Sequence, residues 1–160
     1  MQTVAEKMTG DVVTCTRDER LSDVARRMWE RDCGSVPVVD ELARPLGLLT
    51  DRDLCMAALL GGKPLHQITV EDVLPARELL SCQVGDDLDA AHARMRESQV
   101  RRLPVVDGTG SLVGLLALGD LVRPESTAAA RRKQADALLM TMAGITREAG
   151  TALESVLPAA

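Results

Sequence analysis

Residues 21–55, LSDVARRMWERDCGSVPVVDELARPLGLLTDRDLC, decide the fold because residues 88–122, LDAAHARMRESQVRRLPVVDGTGSLVGLLALGDLV, copy them at a constant shift of 67 positions. Thirteen of these 35 positions are identical, among them Leu21, Arg27, Met28, Pro37, Val38, Val39, Asp40, Gly47, Leu48, Leu49 and Asp53. Ordinary composition would give about two or three matches. With a one-residue gap, TVAEKM at 3–8 falls on TVEDVL at 69–74, and VVTC at 12–15 falls on LLSC at 79–82. The repeat therefore covers nearly all of residues 3–122, and an internal repeat fixes architecture before any single motif does.

Each copy reads alike. Val12 to Cys15 is a short β-prone stretch, while Leu21, Val24, Ala25 and Met28 recur at helical spacing. Val36–Val39 and Leu46–Leu49 are apolar runs separated by a turn, and a second helix begins at Thr50. A strand–helix–strand crossover is right-handed and parallel, and the turn that follows adds an antiparallel neighbour. The expected class is α+β: two β-α-β-β-α repeats, residues 1–62 and 63–123, packed about a pseudo-twofold axis. One copy alone would bury too little surface to be stable. Residues 124–160 form an added helical segment, with Ala135, Leu138, Met142, Ile145, Ala149, Ala152 and Val156 spaced three and four apart as an apolar seam.

Composition removes several functions. With 19 basic and 24 acidic residues the net charge is −5, so a grip on DNA or RNA through overall charge is not expected. Phe and Tyr are absent and Trp29 is the lone aromatic, which removes the stacking platforms used for single strands. The longest apolar run, Leu54 to Leu60, is far shorter than a membrane span, and the first residues resemble no export signal, so a cytoplasmic location is expected. Four cysteines form no CxxC pair, and His66 and His92 stand apart from them, so no metal site is expected. No nucleophile–base set or phosphate-binding glycine loop is present, and catalysis is not expected.

The VPVVD and LPVVD strands, each followed by GLLTDRDL or GLLALGDL, resemble a tandem pair of cystathionine-β-synthase (CBS) domains, a Bateman module. The resemblance implies a regulatory module that binds AMP, ADP, ATP or S-adenosylmethionine in clefts between the repeats; with it, a homodimer acting on an effector protein and requiring no cofactor is expected. The family's ribose pattern, Gly-h-h-Thr/Ser-x-x-Asp, falls on Gly47, Leu48, Leu49, Thr50 and Asp53; in the second copy it falls on Gly114, Leu115, Leu116, Ala117 and Asp120, with the hydroxyl lost. Arg101 and Arg102 stand where the family presents basic groups to phosphate, and the base-contacting positions fall on Thr14, Cys15, Thr16 and Val36.

The chemistry fits these residue types. A carboxylate accepts hydrogen bonds from both ribose hydroxyls, and charge-assisted bonds are the stronger kind. Free N–H groups at the helix start favour phosphate oxygens, and Arg52, beside Asp53, could hold two of them. Thr50-x-x-Asp53 also fits a capping box, a purely local role. Arg101 and Arg102 equally fit a solvated connection. The competing reading of the chain is a ligand-independent structural scaffold for dimerisation. His92, on the helix's apolar stripe, reads as a satisfied core histidine, and Cys15 and Cys82 as small buried hydrophobes.

Overall fold

The computed structural model describes residues 2–74, 79–122 and 128–145. Its helices are α1 (Leu21–Glu30), α2 (Asp51–Gly61), α3 (Leu88–Glu97) and α4 (Ala128–Ile145), with single 3-10 turns at Val4–Glu6, Leu65–Gln67 and Leu118–Val122. Its strands are β1 (Ser35–Val39), β2 (Pro45–Thr50), β3 (Cys82–Gln83), β4 (Arg102–Val106) and β5 (Leu112–Ala117). The architecture is mixed α+β, as the repeat predicts.

The two hairpins share one register, residue for residue. β1 pairs antiparallel with β2, Ser35 opposite Thr50 and Val38 opposite Gly47, with an irregularity between Val38 and Val39. β4 and β5 repeat the register, Arg102 opposite Ala117 and Val105 opposite Gly114, with the same irregularity between Val105 and Val106. The predicted leading strand is shorter than the pattern suggests. In the second half it is the two residues of β3, parallel to β4; in the first it contracts to one parallel bridge, Cys15 to Val38.

Each half completes the core of the other. Val4 donates to the Asp86 carbonyl at 2.9 Å, Thr9 exchanges two hydrogen bonds with Leu115 at 3.0 and 2.9 Å, and Val4 is buried among Leu88, Met95, Leu103 and Leu116. Reciprocally, the Ile68 carbonyl accepts from Leu21 at 3.0 Å, and Ile68 and Val70 pack with Leu21, Val24, Val36 and Leu49. The exchange explains the motif glycines. A Cβ at Gly47 would collide with the Leu74 side chain, and one at Gly114 would lie 2.7 Å from Met8 Sδ and 2.8 Å from the Thr9 carbonyl oxygen.

The hairpin turns differ at one equivalent position. Ala43 holds a left-handed φ of 57°, and its counterpart is Gly110 at 84°. Only glycine adopts that conformation without a steric cost, which is about 1–2 kcal/mol for other L-residues. Nothing lies within 4 Å of a Cβ at Gly110, so conformation alone is tested there. Gly110→Ala is expected to lose about 1 kcal/mol and Ala43→Gly to gain somewhat less, because glycine is freer in the unfolded chain. Urea denaturation reads both; an unchanged midpoint in Gly110→Ala would contradict the strain.

α4 packs on α3, in a phase slightly different from the predicted seam. Leu138 is partly buried, and Thr141 and Ile145 are buried at 1% and 7% exposure, whereas Ala135 is exposed and Met142 is 48% exposed. Thr141 occupies the inward position because its hydroxyl donates to the Ala137 carbonyl at 2.8 Å. Gly144 brings the backbone of α4 close to the Arg96 side chain of α3, and Lys133 pairs with Asp89 at 2.9 Å. The predicted seam positions Ala149, Ala152 and Val156 lie outside the described residues.

His92, expected to be satisfied and partly buried, is instead buried at 8% exposure with neither ring nitrogen hydrogen-bonded among the described residues. Burial holds its imidazole below the ordinary range, against the opposing pull of Asp89 and Asp87. Cys15 and Cys82 sit in the separate cores of the two halves, their thiols pushed up by burial to about 12 and about 11.

Candidate functional site

The GLLTDRDL segment places two polar groups at the start of α2. Thr50 leaves β2 in extended conformation and caps the helix; its Oγ1 accepts from the Asp53 N–H at 3.2 Å. Asp53 Oδ2 accepts from the Thr50 N–H at 2.8 Å and from its hydroxyl at 2.7 Å. The capping box is therefore present. It occupies one carboxylate oxygen of Asp53 and leaves Oδ1 without a protein partner among the described residues.

The opposite wall comes from the other half. α3 ends at Ser98, Gln99 turns the chain through a left-handed φ of 53°, and the Val100 N–H returns to the Met95 carbonyl at 3.0 Å. That turn delivers Arg101 and Arg102 to the head of β4, where the Leu118 N–H donates to the Arg101 carbonyl at 2.9 Å. Thr50, Asp53, Arg101 and Arg102 thus line one cavity of about 540 Å³, walled by Leu46, Leu48, Leu79, Leu80, Val100 and Pro104. Its size and its few convergent polar groups on aliphatic walls are those of a small-molecule site.

A second cavity of about 340 Å³ is its pseudo-symmetric mate. Val12 and Val13 replace Leu79 and Leu80, Gly34 and Ser35 replace Arg101 and Arg102, and Ala117 and Asp120 replace Thr50 and Asp53. Asp120 is 8% exposed and accepts from the Ala117 N–H at 2.8 Å. The carboxylate thus keeps half of the cap after the hydroxyl has gone, a structural reason for its persistence that sequence reading did not see.

The remaining predicted contacts lie elsewhere. Cys15 and Val36 are core residues at 1% and 0% exposure, and the backbone of Cys15 is bonded to Pro37 and Val39. The Thr14 carbonyl accepts from the Arg27 guanidinium, which also pairs with Glu19 at 2.5 Å. Thr16 turns its N–H toward Glu19 at 2.9 Å and its hydroxyl toward Asp18 at 2.6 Å. Arg52 is exposed at the outer face of the helix start, its backbone N–H donating to Asp51 Oδ1 at 2.8 Å. None of these five lines either cavity. Because the leading strand is so short, the aliphatic pair before it, Val12–Val13 or Leu79–Leu80, walls the cleft instead. The lining role of Leu79, Leu80, Ser98 and Gln99 has no signal in residue type.

Among the described residues no cluster of three His, Cys, Asp or Glu could hold a metal ion, and no helix is long and apolar enough to cross a membrane.

Two interlocked repeats with a polar cleft at each shared face define a paired module. The chain belongs to the CBS domain family, whose model matches residues 4–60 and 69–125. It is 36% identical over 121 residues to the CBS domain-containing protein YhcV of Bacillus subtilis, covering 76% of this chain and 84% of that one. It is 30% identical over 138 residues to inosine-5'-monophosphate dehydrogenase of Mycobacterium tuberculosis, 86% of this chain but a quarter of the dehydrogenase. The structure resembles that of CBSX2 in complex with AMP, with a TM-score of 0.66 and 26% identity, over 83% of this chain and 99% of that one.

Proposed function

We propose that this chain is a regulatory module whose larger cleft binds an adenine nucleotide. The reading rests on one observation: a carboxylate from the first half and two guanidinium groups from the second face the same cavity of about 540 Å³. Asp53 accepts the ribose hydroxyls through Oδ1, Arg101 and Arg102 take the phosphate, and the base lies between Leu46, Leu48, Leu79 and Leu80. The AMP complex of CBSX2 supports the ligand class. Two arginines against one carboxylate favour an anionic nucleotide over the cationic sulfonium of S-adenosylmethionine.

Such a ligand ties the halves together, and it changes the geometry offered to an effector or a second copy only through different affinities for two states. Calorimetric titration with AMP, ADP, ATP and S-adenosylmethionine tests the reading. Binding of at least one phosphorylated nucleotide below millimolar concentration is expected; no response to any of them at millimolar concentration contradicts it.

The scaffold reading draws on a different observation. Trp29 on α1 is 87% exposed, while its counterpart Arg96 on α3 lies against α4. The first half thus leaves open a helical surface that the second half covers. On that reading a dimer forms whose mass, measured by light scattering, is indifferent to AMP.

A further inference from the structure

The two clefts have one lining residue in common, Arg102. It stands at the head of β4, half-buried, and reaches across the pseudo-axis: a Cβ at Gly34, in the opposite half, would lie 3.4 Å from its Nη2. Gly34 leaves the space beside the guanidinium open, whereas its counterpart in the larger cleft is Arg101. Arg102 has no ion pair or side-chain hydrogen bond among the described residues; the Asp51 carboxylate flanks the same space, its Oδ2 3.6 Å from a Cβ at Gly34.

The clefts differ in what remains without it. The larger keeps Arg101 beside Asp53. The smaller has Ser35 at the position of Arg102 and is lined by Asp11, Asp32 and Asp120, with Arg31 lying 3.8 Å from Asp11. Without Arg102 it is an acidic cavity that repels an anion.

We infer that the two clefts share the Arg102 guanidinium and are negatively coupled through it. A bidentate grip on a phosphate in one cleft turns the guanidinium toward that cleft and away from the other. A nucleotide in the larger cleft draws Arg102 to itself and leaves the smaller cleft unable to hold a second anion. By linkage, an anion in the smaller cleft weakens the larger by the same factor. The inference rests on the nucleotide reading of the larger cleft and adds its regulation.

The test is an AMP titration of the full chain followed by backbone amide NMR. Gly47 and Gln99 report the larger cleft, and Gly34 and Ala117 the smaller. In the wild type the larger cleft fills first, and the smaller responds only weakly afterwards. In the double variant Asp53→Ala, Arg101→Ala the larger cleft is disabled while Arg102 is intact, and the smaller cleft is expected to bind AMP at least about tenfold tighter than in the AMP-loaded wild type. Adding Arg102→Ser removes that gain, and the same spectra report whether each variant is folded. Equal smaller-cleft affinity in wild type and double variant, or no smaller-cleft binding in either, overturns the sharing while larger-cleft binding stands. No response at Gly47 or Gln99 in the wild type defeats the nucleotide reading itself.

Discussion

Replacing Asp53 by asparagine is expected to weaken AMP binding at least tenfold while leaving the fold almost as stable. Hydrogen bonds to a charged group contribute about 1.5–3 kcal/mol each, and 1.4 kcal/mol is a factor of ten in affinity. The amide oxygen of asparagine can still accept the Thr50 N–H that Asp53 Oδ2 holds at 2.8 Å, so most of the cap survives. Asp53→Ala removes both functions and should add a loss of about 1 kcal/mol in stability. Calorimetry and urea denaturation on the two variants separate the roles. Unchanged AMP affinity in Asp53→Asn would reduce the residue to a helix cap.

The largest stability effect is expected at Gly114. A Cβ there would meet the Thr9 carbonyl at 2.8 Å, and Thr9 cannot withdraw because two hydrogen bonds fix it to Leu115. Forcing atoms into a packed site costs about 1–3 kcal/mol, and the upper part of that range applies where backbone must move. Gly114→Ala should lower the melting temperature by about 5–10 °C in a chain of this size. Gly47→Ala should cost less, because the obstacle is the end of the Leu74 side chain, which can rotate away. Equal losses in the two variants would contradict the view that the exchanged amino-terminal segment is pinned at Thr9.

The repeat made the architecture legible. Matched positions carry matched physics: Arg27 and Arg94, identical in the alignment, each donate to the carbonyl thirteen residues earlier, at Thr14 and Ser81, and each pair with the carboxylate five residues past that carbonyl, Glu19 and Asp86. The hairpins and the pairing of Thr50 with Asp53 follow from the same pattern; the register irregularity does not show in it. What escaped is what pattern does not encode. The exchange of leading segments between halves depends on tertiary packing, because Val4 and Val70 read as ordinary apolar residues in either location. The phase of α4 was set by Thr141, whose hydroxyl is satisfied within its own helix, so a residue that reads as polar turns inward and Met142 turns out.

The cleft was legible where charge or a capping pattern marks it, at Thr50, Asp53, Arg101 and Arg102. It was not legible at its walls. Thr14 and Thr16 look like ligand contacts by position, but the Thr14 carbonyl accepts from Arg27, and the Thr16 N–H and hydroxyl donate to Glu19 and Asp18 within the first half. Leu79 and Leu80 act through place alone, and any aliphatic pair there would serve.

The most direct measurement is a crystal structure of the chain grown with AMP. One nucleotide is expected in the larger cleft, its ribose hydroxyls within hydrogen-bond distance of Asp53 Oδ1 and its phosphate against Arg101 and Arg102, bridging the two halves. A nucleotide bound away from Asp53, or held by one half alone, would contradict it.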